Sequence, residues 1–382
     1  MTPSAKLAVR VGIVGCRRGT GFAAGLRAMT DRAVLTAAYD PNRSTASAFA
    51  RDTGIDLVCE SFDQLVESVD AVVIASPQHY HAPQAVFALE RGVHVLSEVP
   101  AAVSMTQADS LLAAARTSEA TYMIAENYCY IRSNIVVDAM VRSGVLGNIY
   151  YGESEYLHEM RSFHTTPSGD RTWRYYWQVG RDGHTYPTHS LGPLLGWIDD
   201  RISSVSCIGT GRHTDPEHEI QDTVLLLART SRGALLKVRL DLLSNRPELM
   251  GYYAVQGTEG AYESGRSEGE QPRVYIHGRT VHNTWDPLEK YYDDFLPDRY
   301  RQPLPDGIGH WGGDLWTVVD FLTAIETGER PRLDVYEALR MTLPGIVSEI
   351  SIAQNGQWLA VPDPVTWASG IGIEPGAEAP LT

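Results

Sequence analysis

Cysteine is scarce in this chain: four residues in 382, Cys16, Cys59, Cys129 and Cys207, all far apart. None belongs to a Cys-x-x-Cys pair, and no histidine lies at metal-ligand spacing from them. Local zinc and iron–sulfur signatures are therefore missing, no metal is expected, and reduced, packed thiols fit better than disulfides. Positive charge is also short. Lysine and arginine number 32 against 47 acidic residues, a net charge of −15, and no basic cluster interrupts that balance. Nucleic acid and anionic membrane are poor partners for such a surface; a small neutral or polar ligand suits it. Apolar runs stop well short of the roughly 20 residues that span a bilayer. The first seven residues are too few and too polar for a secretory signal, so a cytoplasmic protein is expected. Internal repeats and low-complexity linkers are absent.

The length allows two domains and a sizeable core. Through about residue 125, short apolar runs alternate with helical patterns, as in a parallel sheet wound by helices. Strands are predicted at 9–14, 34–39, 71–75, 93–97 and 123–125. Ser61 with Gln64 and Ser104 with Gln107 have capping-box spacing. From Glu126 the pattern changes to longer strand-like runs at 149–157, 205–211, 223–228, 234–240 and 252–256, separated by turn residues. Helices near 314–326 and 335–353 follow. The expected class is α/β: an N-terminal doubly wound domain over 1–125, then an α+β domain over 126–368 with a largely antiparallel open sheet. Residues 369–382, rich in Gly, Pro and Glu, read as a mobile tail.

Residues 12–21, Gly-Ile-Val-Gly-Cys-Arg-Arg-Gly-Thr-Gly, make a glycine-rich turn between a strand and a helix. Such a turn brings backbone amides and a helix N-terminus to a pyrophosphate. Counted from Gly15, the fingerprint puts Arg17 at its second glycine and Thr20 at its third. Asp40 ends the second strand, 25 residues after Gly15, where a carboxylate binds ribose hydroxyls. It also suits a turn before Pro41. Strand, glycine turn, helix, strand and acid in this order make 1–125 a dinucleotide-binding Rossmann domain, and the acid favours NAD over NADP.

Residues 75–81, Ala-Ser-Pro-Gln-His-Tyr-His, and 97–100, Ser-Glu-Val-Pro, resemble motifs at the ends of the fourth and fifth strands of Gfo/Idh/MocA oxidoreductases. One branch is closer. Glu98-Val99-Pro100-Ala101-Ala102, Glu126-Asn127-Tyr128-Cys129-Tyr130 and Tyr186-Pro187-Thr188-His189-Ser190-Leu191-Gly192-Pro193 resemble the NAD-dependent α-N-acetylgalactosaminidases of glycoside hydrolase family 109. So do Gly309-His310-Trp311-Gly312-Gly313-Asp314 and Ser348-Glu349-Ile350-Ser351-Ile352. The likeness covers essentially the whole chain. Oxidoreductases of the wider family carry Glu-Lys-Pro where this chain has Glu98-Val99-Pro100, and that lysine helps move the alcohol proton during hydride transfer. Valine neither donates nor accepts. The hydrolase branch lacks the lysine too.

The resemblance implies a glycosidase with an internal redox cycle and no pair of opposed carboxylates. The sugar's C3 hydroxyl is oxidised to a ketone with NAD, which acidifies the C2 hydrogen. Loss of that proton expels the C1 leaving group; water adds, and the sequence reverses. His189 is implied at the C3 hydroxyl proton, with Tyr186 and Tyr156 around C2 and the leaving group. Glu126, Arg174 and Tyr291 are implied as sugar-binding, although Tyr292 competes with Tyr291 for its place. Gly15, Arg17, Arg18, Asp40, Ser76, His79, His81, Glu98 and Asn127 are implied around the cofactor. A homodimer or homotetramer is implied by the same route.

The residues make chemical sense on their own terms. Such a reaction needs groups that exchange protons with a hydroxyl and a carbon acid, and something to stabilise enolate-like charge. The stretch from Trp173 to His189 is dense in them, and Tyr186 and His189, three apart, share one face of a helical turn. Structural roles compete: Glu126 as a helix cap, Tyr156 as a core aromatic, Arg174 as an ion-pair partner, His310 in a segment governed by its glycines. Residues 164–171 look individual to this chain. Two rival functions stand beside the glycosidase: a plain NAD-dependent sugar 3-oxidoreductase, and a non-catalytic NAD-binding sensor.

Overall fold

The computed structural model describes residues 8–368 except 179, 216, 217, 219, 268 and 306; the stretch 369–382, read above as a tail, lies outside them. The described residues through Tyr130, together with Pro303–Leu339, form one compact unit. Ile131–Gln302 and the described residues from Arg340 onward form a second.

The first unit opens with β1 (Val9–Val14), α1 (Cys16–Arg27), β2 (Ala33–Tyr39), α2 (Arg43–Thr53) and β3 (Leu57–Val58). It continues with α3 (Phe62–Glu67), β4 (Ala71–Ile74), α4 (His81–Leu89), β5 (His94–Ser97), α5 (Met105–Thr117) and β6 (Tyr122–Ile124). The strands are parallel in the order β3-β2-β1-β4-β5-β6. All four residues of β4 are buried, which explains an unbroken apolar run where an alternation would mark a half-exposed strand. Both capping boxes form. Ser61 Oγ accepts from Gln64 N at 3.1 Å and Ser104 Oγ from Gln107 N at 3.2 Å. In return, Gln64 and Gln107 each accept from the backbone N–H just ahead of the cap, on Glu60 and Val103. The strand order reverses between β1 and β4, the switch point at which this architecture binds its ligand.

The second unit adds α6 (Arg132–Arg142), β7 (Ile149–Leu157), α7 (Trp173–Trp177), α8 (Thr188–Ile198), β8 (Ile202–Gly209), β9 (Thr223–Thr230) and β10 (Leu235–Asp241). Then come β11 (Leu249–Gly257), β12 (Gly260–Glu263), β13 (Arg273–Ile276), β14 (Asp286–Pro287) and α9 (Tyr292–Phe295). Its nine-stranded sheet runs β14-β13-β12-β11-β7-β10-β9-β8, with β15 (Leu359–Ala360) at the far edge. Every neighbouring pair is antiparallel except β7 with β10. That exception follows from order: β7 lies mid-sheet, and its sequence successor β8 sits near the edge. In β9, buried and part-exposed residues alternate, the mark of a sheet with one covered face.

Besides His189, this unit buries three histidines, His164, His184 and His218. Burial lowers the pKa of all three, those of His164 and His184 to about 4. The unfolded chain takes up those protons near pH 6.5, so it binds more protons than the folded chain below that pH. Stability is therefore full above about pH 6.5 and is lost on acidification toward pH 4. Thermal unfolding followed from pH 8 to pH 4 should show a midpoint that falls steadily below pH 6.5; a flat profile contradicts the burial.

The chain then returns to the first unit with α10 (Gly313–Thr327), before α11 (Val335–Ala353). Arg32 pairs with Glu326 at 2.8 Å, and Tyr130 Oη donates to Asp320 at 2.9 Å. Ile124 N donates to Leu333 O at 2.9 Å, which satisfies part of the open edge of β6. Gly313 meets Asn127 so closely that a Cβ there would stand 2.4 Å from Asn127 O. None of this return was legible as a domain contact in the sequence pattern.

Candidate active site

In the first unit the glycine turn follows β1 at the switch point. Gly15 has φ +86°, and a Cβ on it would lie 2.3 Å from Ala75 O at the end of β4. Any side chain there is excluded by both backbone conformation and space. Gly15→Ala should lower stability by at least about 1–3 kcal/mol from the backbone alone and weaken NADH binding; a fluorescence titration with NADH checks it. The fingerprint count needs one correction. A Cβ on Gly19 would meet Ile13 Cγ2 at 2.4 Å, whereas Thr20 is exposed, so Gly19 is the glycine that lets α1 press against β1. Arg17 is exposed at the start of α1. Asp40 Oδ2 accepts from Cys16 N at 3.0 Å and its Oδ1 from Asn42 N at 2.9 Å, which ties the end of β2 to the glycine turn.

Arg18 joins three elements. Its guanidinium contacts Glu98 at 2.5 Å after β5 and grips Asp314 of α10 with two hydrogen bonds, at 2.8 and 3.1 Å. Asp314, 1% exposed, also accepts from Asn127 Nδ2 at 2.9 Å and faces His310 Nδ1 at 3.0 Å. Burial alone would raise its pKa, but His310 and Arg18 together hold this carboxyl far below the usual range. Asp314 was visible in sequence only as the end of a glycine-rich motif, with no sign of its three partners. His310 and Trp311 both have φ +51°, followed by Gly312 at +96°. The glycines do not carry this turn alone: two bulky residues sit in the left-handed region at roughly 1–3 kcal/mol each.

The other implied cofactor residues surround the ends of β4 and β5. Ser76 Oγ donates to Gln84 Oε1 at 2.6 Å. His79 lies against Tyr80, ring centroids 4.1 Å apart, and burial lowers its pKa. His81 is buried, with Nδ1 2.9 Å from Pro100 O and Nε2 2.8 Å from Ser76 O. Both ring nitrogens therefore face main chain, and His81 ties the two strand ends together. Val99, in place of the lysine, is 4% exposed and packs as a core residue. Glu126 is fully buried and accepts from Tyr128 N at 3.1 Å, the capping geometry considered above.

The glycine cradle and one orphaned atom fit a dinucleotide. Asn127 is 2% exposed, and its Oδ1 has no hydrogen-bond partner among the described residues. An acceptor buried alone is unfavourable unless a ligand hydroxyl or amide reaches it.

The second unit brings the three implied proton carriers together. Tyr156 ends β7, and Tyr186 and His189 flank the start of α8. Ring centroids are 5.3 Å apart for Tyr156 and Tyr186, 5.4 Å for Tyr156 and His189, and 5.0 Å for Tyr186 and His189. Tyr253 Oη donates to the His189 carbonyl, which pins the start of α8 to β11. Tyr156 and His189 are buried, at 6% and 5% exposure, while Tyr186 is half-buried.

Two residues in this cluster escaped the sequence reading. His158 lies 6.0 Å from the Tyr156 ring, and its Nδ1 is 2.5 Å from Glu248 Oε1. The period of β7 puts 156 and 158 on the same side, a signal that was available. Glu248, from 90 residues away, carries none. Arg174 stacks over Trp173, 4.5 Å from the ring centre, and donates to Gln178 at 2.6 Å. Tyr291 sits apart, after the edge strand β14 and four strands from β7, where it donates to Asp286 at 2.7 Å.

Residues 9–126 match the family described as "Oxidoreductase family, NAD-binding Rossmann fold". Residues 130–212 and 210–368 match "Glycosyl hydrolase 109, C-terminal domain". A glycosyl hydrolase family 109 protein of Shewanella sp. (strain W3-18-1) is 29% identical over 368 residues, 88% of this chain and 77% of that protein. One from Shewanella baltica is 29% identical over 369 residues, covering 87% and 78%. Among solved structures, a levoglucosan dehydrogenase in complex with NADH superposes with a TM-score of 0.81 at 20% identity, covering 94% of this chain and all of that one. An NAD-binding oxidoreductase from Klebsiella pneumoniae gives 0.78 at 20% identity, covering 93% and 100%.

Proposed function

The chain belongs to glycosyl hydrolase family 109, with an NAD-binding Rossmann domain of the Gfo/Idh/MocA type at its N-terminus, and from that premise we propose that it hydrolyses glycosides through a transient 3-keto sugar. The observation that carries the reading is the cluster of Tyr156, Tyr186 and His189, three proton-bearing side chains with ring centroids 5.0 to 5.4 Å apart. Such a set suits repeated proton transfers, and the buried Val99 leaves them to these groups.

Gly15, the first turn of α1, Asp40 and Asn127 hold the dinucleotide. When bound as NAD⁺, the cofactor supplies a hydride acceptor at the sugar's C3 and returns the same hydride at the end of the cycle. His189 takes the C3 hydroxyl proton. One tyrosine of the cluster takes the C2 proton, made acidic by the neighbouring ketone, as the C1–O bond breaks. The other gives a proton to the departing oxygen. Water then adds at C1, losing one proton as C2 regains one, and His189 returns its proton to the C3 oxygen. Hydrolysis results with no net redox change.

His158 and Glu248 extend the cluster as positioning residues. Glu248 orients His158, whose ring stands edge-on to Tyr156. Glu248→Gln should lower kcat about tenfold, below the 10²–10⁴ of a direct proton carrier, and displace the acidic limb of the pH–rate profile. Loss of kcat with an unmoved profile would make the pair structural only.

The reading itself is tested with purified protein and a panel of p-nitrophenyl α- and β-glycosides, N-acetylhexosaminides included, without added reductant. Many turnovers of nitrophenol release with no net change in NADH absorbance is the expected result. Silence there, with stoichiometric NADH formed from a free sugar and excess NAD⁺, assigns a sugar 3-dehydrogenase instead.

A further inference from the structure

We infer that Trp311 is a stacking platform for the C–H face of the substrate's pyranose ring. The inference rests on the sugar-handling reading above and adds a specificity-determining residue to it. Trp311 is 62% exposed, the most exposed tryptophan among the described residues. A tryptophan placed for packing alone buries its large apolar area; this one presents its ring to solvent.

The chain maintains that presentation against its own backbone preference. Trp311 has φ +51° and ψ +31°, between His310 at φ +51° and Gly312 at φ +96°. Strain of this kind persists where surrounding contacts over-determine it, and it concentrates at ligand sites. Here the contacts are visible: His310 to Asp314 at 3.0 Å, Gly312 N to Gly309 O at 3.1 Å, and the Tyr128 ring edge-on to Trp311 at 6.1 Å between centroids. Tyr128 follows Asn127, whose amide binds Asp314, so the platform is built on the same network that grips Arg18.

Position decides between a sugar and the cofactor's adenine. A dinucleotide lies across the switch point, with its adenosine on the half that carries the acidic residue after β2. Asp40 marks that half. Tyr128, against whose ring Trp311 stands, follows β6 at the opposite edge of the sheet, beyond β4 and β5. That is the half for the reactive ring and the molecule it reacts with. An indole face there meets the apolar C–H face of a pyranose, while the hydroxyls at the ring's edge remain free for polar partners.

The test uses the NADH-loaded full chain, titrated calorimetrically with methyl α- and β-pyranosides of galactose, glucose and their 2-acetamido forms. Trp311→Gly should weaken sugar binding about tenfold while NADH affinity stays within about twofold. Glycine suits the left-handed backbone, so this variant keeps the loop and its melting temperature does not fall. Trp311→Phe should recover most of the sugar affinity. Unchanged sugar affinity in Trp311→Gly overturns the platform alone. A loss confined to NADH moves the residue to the nucleotide site and also overturns it. If the unaltered protein binds none of the pyranosides, the sugar reading falls, and the platform with it.

Discussion

Replacing His189 with alanine should lower kcat for the preferred glycoside by about 10²–10⁴, with little change in KM. In the proposed cycle the residue would act on the C3 hydroxyl proton as it leaves and again as it returns, so both halves of that cycle would lose their proton carrier. The loss appears in kcat because the interaction strengthens as charge develops in the transition state. NADH titration separates this from cofactor loss: the variant should match the unaltered protein. Tyr156→Phe, which removes one hydroxyl and keeps the ring, should show a loss of similar order. Steady-state kinetics with the glycoside that the nitrophenyl panel selects checks both. A His189→Ala variant that retains more than a tenth of the activity sinks its assignment.

Asp314→Ala is the largest expected stability effect, a loss of about 3 kcal/mol, the lower end for breaking a buried ion pair. The lower end applies because Arg18 is part-exposed and keeps Glu98 as a second partner. Asn127 Nδ2 loses its acceptor, and His310 loses the carboxylate that steadies its left-handed backbone. The pH dependence has a definite sign. A carboxyl held below its ordinary pKa contributes stability above about pH 4, and that contribution is lost as pH falls toward the folded-state value. Urea unfolding at pH 7 should show the full difference between Asp314→Ala and the unaltered protein, and at pH 3 a smaller one. An equal gap at both pH values would mean that lost packing, and not charge, accounts for the change.

Much of the fold was legible because local chemistry and tertiary structure agree. The strands Val9–Val14 and Ile149–Leu157 and the helix Val335–Ala353 lie where the periodicity placed them. Both capping boxes form because their signal is complete within four residues. The tyrosine–histidine cluster was legible in part: Tyr186 and His189 are near in sequence, and the resemblance supplied Tyr156. What stayed hidden is long-range. Glu248 reaches His158 across 90 positions, and Asp314 reaches Arg18 across 296. The parallel pairing of β7 with β10 likewise has no local signature, since each strand alone looks the same in either orientation. Thr20 misled the glycine count because spacing, without the packing of Gly19 on Ile13, cannot tell which glycine touches the strand.

The return of Pro303–Leu339 to the first unit has a consequence for biosynthesis. On the ribosome, residues through Tyr130 emerge long before α10 exists, and the intervening stretch Ile131–Gln302 must be translated first. Until then Arg18 lacks Asp314, β6 lacks the backbone acceptor at Leu333, and the face of α1 that receives α10 stands open. Loop length adds little thermodynamic burden, only about 0.6 kcal/mol per doubling, so the issue is timing. A nascent N-terminal unit waits incomplete with apolar surface exposed, the condition in which partly made chains aggregate. The unit that comes first in the sequence is completed only when its last segment, near residue 339, has been made.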